Sequence, residues 1–253
     1  MLPSTGDSPI RLVVVNGDSQ TYGDELSDRM QSCWGAVLAR RLGADFVNLG
    51  VCAGSNRRTV RLTVERLDQY TEERGLTPDQ VLFLGMWSKL DRSEAYTGEA
   101  DLQGGLADDV PEAGWNRIHA AYIPRRDAKA IAWYRSFQSE PGDQSEFLMH
   151  WVMFDAWLAQ RGYHYGFLWA FDPDSSAFEN LPQYRDQINF SRVLGSGRFP
   201  YGGPSIYAVG EEIGDLAPGR HPLERAQQVF VDDYLFDWVS ELVKLGERES
   251  ATV

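Results

Sequence analysis

Residues 11–23 read RLVVVNGDSQTYG: an unbroken β-branched run, then a glycine, then a short polar turn. A continuous apolar run of this length suits a central parallel strand covered on both faces. Gly17 permits a sharp turn at the carboxyl end of that strand, where open α/β sheets place their ligands. Ser19 follows at the point where successive backbone N–H groups can converge, which makes it a candidate nucleophile. A Gly-Asp-Ser turn by itself is common. Its position directly after the first strand gives it weight, and Asp18 is expected to accept backbone N–H bonds and fix the turn.

Reading outward, Cys33–Leu42 has helical spacing in Trp34, Val37, Leu38 and Leu42, with Gly43 as its stop. A second strand, Asp45–Leu49, leads to a Gly/Ser/Asn turn and a helix over about Arg58–Tyr70. Gln80–Leu84 is a third buried strand. The order β-loop-α-β-α-β predicts a parallel sheet with helices on both faces. Regularity then lapses. Asp91–Gly114 is acidic and Gly-rich, and residues 91–144 read as an insertion or lid within a single domain spanning 1–253. Helices are expected at Ala128–Phe137 and Ser145–Gln160, a fourth strand at Tyr163–Phe171, and a long loop region at Asp172–Gly219. A last helix is expected from Pro222, which suits a first helical position, to about Leu245.

Composition narrows the classes. The 253 residues carry a formal net charge of −13, which disfavours non-specific nucleic-acid binding. No stretch approaches the ~20 apolar residues of a membrane helix, and the amino-terminal residues lack a basic segment followed by an apolar core. The expectation is a cytoplasmic protein with no membrane partner. The two cysteines, Cys33 and Cys52, have no metal-ligand spacing and are expected to be reduced.

Of the four histidines, only His221 lies at a loop-to-helix junction near the end of the sequence. A helix N-terminus disfavours imidazolium, leaving the ring available as a base.

The GDS after the first strand, the NLGVCAGSN turn after the second, and the late His-Pro before the last helix together resemble the SGNH (GDSL-type) hydrolases. That resemblance implies an α/β, flavodoxin-like three-layer sandwich with a parallel sheet of four to five strands in the order 2-1-3-4-5. It also implies esterase or acyl-transfer chemistry. By position, Ser19 would be the nucleophile and an oxyanion donor through its own N–H. Gly54 would supply a second backbone donor, and His221 the base. The sequence departs from the family at two points. The turn after the third strand reads GMWSKLDR, with Trp87 where the family has asparagine, so Asn56 and Ser88 stand as candidate substitutes. The acid expected three residues before the histidine is replaced by Pro218; Asp215, six residues ahead, is the candidate third member, and a backbone carbonyl is the other option. Trp87, Ser88, Arg92 and Glu94 also resemble the third block of an SGNH-like subgroup. Arg92 is thus a candidate for substrate binding, with a surface ion pair as the plainer reading.

Two functions follow as expectations. The first is a serine esterase, deacylase or acyltransferase acting on an ester of a small molecule, a sugar or a carrier, with no metal and no organic cofactor. The second is a catalytically degenerate SGNH-fold binding or assembly protein.

Overall fold

The computed structural model describes residues 9–99, 112 and 114–250, with side chains described to residue 244. Its centre is the expected run, now β1 (Leu12–Asn16), buried at all five positions. The chain continues through single helical turns α1 (Ser19–Tyr22) and α2 (Arg29–Ser32), then α3 (Trp34–Leu42), β2 (Asp45–Asn48) and α4 (Asn56–Glu73). β3 (Val81–Trp87) precedes a hairpin of β4 (Ser93–Tyr96) and β5 (Trp115–Ile118), then α5 (Ala128–Ser136), α6 (Glu140–Arg161) and β6 (His164–Trp169). Short helices α7 (Ser175–Asn180), α8 (Pro182–Arg185) and α9 (Ile206–Glu212) lead to α10 (Glu224–Phe230) and α11 (Phe236–Ser250).

The main sheet has four strands in the order β2-β1-β3-β6, and every neighbouring pair is parallel. Its four positions follow the order 2-1-3-4. The place of a fifth strand is held, among the described residues, by a single parallel bridge from Phe167 to Val193. The period of two along the strands sorts side chains between two cores. Leu12 and Val14 of β1, with Phe83 and Trp87 of β3, face α4 and α6. Val13 and Val15, with Leu82, Leu84 and Met86, face α3 and the C-terminal helices. The molecule is therefore an α/β sandwich of helix, sheet and helix.

Several elements differ from expectation. β3 runs three residues beyond Leu84, pairing Trp87 with Trp169, so the turn begins only at Ser88. α6 begins at Glu140 because Pro141 occupies its first turn, and it ends at Gly162 in the left-handed region. Part of the 91–144 stretch is ordered: β4 and β5 pair antiparallel from Ser93↔Ile118 to Tyr96↔Trp115. Arg61 ties the hairpin to α4, its Nε donating to Glu94 at 2.7 Å, while Arg58 pairs with Glu112. The last helix starts at Glu224 rather than Pro222, which instead bridges Leu216. Between α10 and α11 lies a π-helical turn, Val231–Leu235. Cys33 and Cys52 are free thiols. Among the described residues, no helix is long and apolar enough to cross a membrane.

Candidate active site

The site is assembled at the carboxyl ends of β1, β2 and β3. Asp18 caps α1, its Oδ1 accepting the Gln20 N–H at 2.9 Å, and Ser19 is the first residue of that turn. The Ser19 N–H thus has no acceptor one helical turn back. The residue is buried but not sealed, at 7% exposure.

His221 reaches Ser19 from the far end of the sequence. Its Nε2 lies 3.0 Å from Ser19 Oγ, and its Nδ1 lies 2.7 Å from Glu25 Oε2. The carboxylate at Nδ1 keeps the proton on that nitrogen, leaving Nε2 as the acceptor for the serine hydroxyl. Glu25 stands in the loop after α1 at φ 65°, and its other oxygen accepts the Gly219 N–H at 3.0 Å. The hydrogen bond with His221 holds the Glu25 carboxyl below its ordinary value, with the Gly219 N–H adding to the effect against burial. A side chain on Gly219 would collide with this carboxylate. A second acid, Asp24, places Oδ2 3.8 Å from His221 Nε2.

Asp215 is elsewhere. Its Oδ2 accepts the Ala226 N–H at 2.8 Å and its carbonyl accepts the Leu223 N–H at 3.0 Å, so it caps α10. Sequence spacing missed Glu25 because it lies six residues after Ser19, not before His221. The one indirect signal was negative: the Pro218-Gly219-Arg220 approach to His221 contains no acid.

The other expected residues take varied places. Gly54 lies against the Ser19 turn, since a Cβ there would sit 2.7 Å from the Gly17 carbonyl oxygen. Its N–H is engaged with the Val51 carbonyl at 3.0 Å. Asn56 clasps the end of β3: its amide donates to the Ser88 carbonyl at 3.1 Å and its Oδ1 accepts the Ser88 N–H at 2.7 Å. Ser88 Oγ and Arg92 Nη1 each donate to Asp18 Oδ2 at 2.6 Å. Arg92 thus braces the Ser19 turn in a buried ion pair and is not partnered with Glu94, which binds Arg61. Trp87 is not at the site. β3 is still extended there, so the ring falls on the α6 side, stacked on Phe167 at 5.1 Å and edge-on to Phe147 at 5.3 Å.

Two further groups border the site. Burial, and then the Asp24 charge, push the Cys52 thiol up to about 12. Burial, and then the Arg92 charge, push His119 down to about 4, and its Nδ1 accepts the Ala121 N–H at 3.0 Å. Among the described residues no group of three or more His, Cys, Asp or Glu side chains could hold a metal ion.

The GDS turn and His221 both fall within the span matched by a known family model, that of the family of unknown function DUF6071, over residues 15–251. The chain belongs to that family. No curated protein matches this DUF6071 chain. Solved structures with some likeness to it include a protein assigned to the lipolytic G-D-S-L family from Desulfitobacterium hafniense DCB-2, at 12% identity and TM-score 0.43, covering 91% of this chain and 98% of that one. The psychrotrophic esterase EstA from Pseudoalteromonas sp. is similar at 12% identity and TM-score 0.43, with 92% and 97% covered. A carbohydrate esterase whose active site displays divergent catalytic and non-catalytic binding functions gives 13% identity and TM-score 0.44, with 92% and 68% covered. At such scores the overlap says nothing of activity in the DUF6071 chain.

Proposed function

We propose that the protein is a serine esterase or acyltransferase that works through an acyl-enzyme on an ester of a small molecule, a sugar or a carrier. The observation that carries this reading is the relay Ser19–His221–Glu25, with links of 3.0 and 2.7 Å. A serine hydroxyl is a weak nucleophile until an oriented base removes its proton. In the proposed step, Ser19 Oγ attacks the ester carbonyl while His221 Nε2 takes the hydroxyl proton. Glu25 stabilises the imidazolium without itself being protonated. In the same step the Ser19 N–H would donate to the developing oxyanion. Collapse expels the alcohol, which receives the proton from His221. Water or a second alcohol then attacks the acyl-serine by the same route in reverse.

A second reading, a binding protein on the same scaffold, is favoured by one observation. The Gly54 N–H is already engaged with the Val51 carbonyl and one Asn56 amide hydrogen with the Ser88 carbonyl, which shortens the set of oxyanion donors. Removing one such donor from a working site costs on the order of 10²–10³ in turnover. Pre-steady-state hydrolysis of p-nitrophenyl acetate separates the two readings. A stoichiometric burst that Ser19→Ala abolishes is expected. The absence of any burst from folded protein would favour the binding reading.

A further inference from the structure

The carboxyl ends of β3 and β6 open into a cavity of about 420 Å³. This is within the size range of small-molecule sites. Phe147, Trp169 and Phe178 line it from the buried aromatic core. Its remaining walls carry Asp91, Asp143, Asp172, Asp174 and Glu140, with Lys89 as the one cationic lining residue among those described. Five carboxylates and one ammonium leave this surface four negative charges in excess.

The hydrogen bonds these acids make leave that charge in place. Asp174 accepts the Ser176 N–H, Asp143 the Gln138 amide and Glu140 the Gln144 amide, all neutral donors. Lys89 lies over the Phe171 ring, 5.2 Å from its centroid, and the nearby Arg92 is engaged with Asp18. Burial, with the Asp91 and Glu146 charges adding to it, holds the Asp143 carboxyl above its ordinary range despite the Gln138 bond. Aromatic surface beneath unneutralised carboxylates is the chemistry that recognises an organic cation: the π quadrupole and the carboxylates attract it together, and the rings accept its methylenes or methyls.

Ser19 and His221 do not line the cavity, but one lining residue is bonded to the Ser19 turn. That residue, Ser88, donates to Asp18, the residue before Ser19. We propose that this cavity binds an amine- or quaternary-ammonium-bearing ligand, and that this cation is part of the ester cut at Ser19. Binding of the cation stands on the cavity alone; its place in the substrate rests on the esterase reading above.

The test uses two isosteric esters as probes, cationic acetylcholine and neutral 3,3-dimethylbutyl acetate, titrated into the full-length Ser19→Ala protein and followed by NMR. The cationic ester is expected to bind about tenfold tighter or better. Asp91→Asn and Asp143→Asn should each reduce that preference, whereas Asp237→Asn, on an exposed face of α11, should not. Equal binding of the two esters, binding of neither, or an equal loss in Asp237→Asn would overturn the proposal. The wild-type burst assay keeps the two ideas apart. Cation preference without a burst would sink the esterase reading and with it the cation's place in the substrate, leaving the cation site standing; a burst without cation preference would sink the cavity proposal alone.

Discussion

His221 has a hydroxyl on one ring nitrogen and a carboxylate on the other, and the identity of that carboxylate has direct consequences. Glu25→Gln removes the group that fixes the tautomer, so kcat/KM should fall by about 10³–10⁴ at neutral pH. Asp215→Ala removes a helix cap instead. It should leave turnover intact and cost about 1 kcal/mol of stability in urea denaturation. The pH dependence follows from the same contact. Because the Glu25 carboxyl is held below its ordinary 4.5, its stabilising contribution is complete above that value and is lost as pH falls through the lower folded value. The difference in urea midpoint between wild type and Glu25→Gln should therefore shrink as pH falls below about 4.5. Ser19 and His221 were legible because each sits at a boundary between elements that local pattern reveals. Glu25 was not, because only the folded loops bring residues 25 and 221 together.

At the scale of elements, the Ser19 turn is held by its neighbours more than by its own sequence. Gly54 packs on it from the turn after β2, and Ser88 and Arg92 hold its Asp18 from beyond β3. Arg92→Ala would strip the ionic partner from a fully buried carboxylate. Breaking such a pair costs about 3–5 kcal/mol, which chemical denaturation would register. The four main-sheet strands were legible from their apolar runs, and α3 from its 3.6-residue spacing. The β4–β5 hairpin was not. Its strands are four residues each and separated by a long acidic, Gly-rich stretch, and their charged residues Glu94 and Arg117 are buried. No local period marks such a pairing. The expected lid residues 100–111 and 113 lie outside the described residues.

For the whole molecule, the alternation along β3 sends Trp87 into the core shared with α6 and keeps it away from Ser19. The resemblance puts Trp87 at the asparagine position of a turn after the third strand, whereas the ladder of that strand with β6 continues to Trp169. The Trp87 ring is fully buried among Phe147, Trp151, Phe154 and Phe167. Trp87→Ala should therefore cost about 3–5 kcal/mol of stability. The protein that remains folded should keep its Ser19 reactivity, a combination that a substrate-binding tryptophan would not give.

The most direct measurement of the central claim is labelling with a fluorophosphonate probe, with the adduct mapped by mass spectrometry in wild type, Ser19→Ala, His221→Ala, Glu25→Gln and Asp215→Asn. The account predicts an adduct on Ser19 in wild type and Asp215→Asn, none in Ser19→Ala or His221→Ala, and slowed labelling in Glu25→Gln. Folded wild type that stays unlabelled, or labelling indifferent to His221 and Glu25, would contradict it.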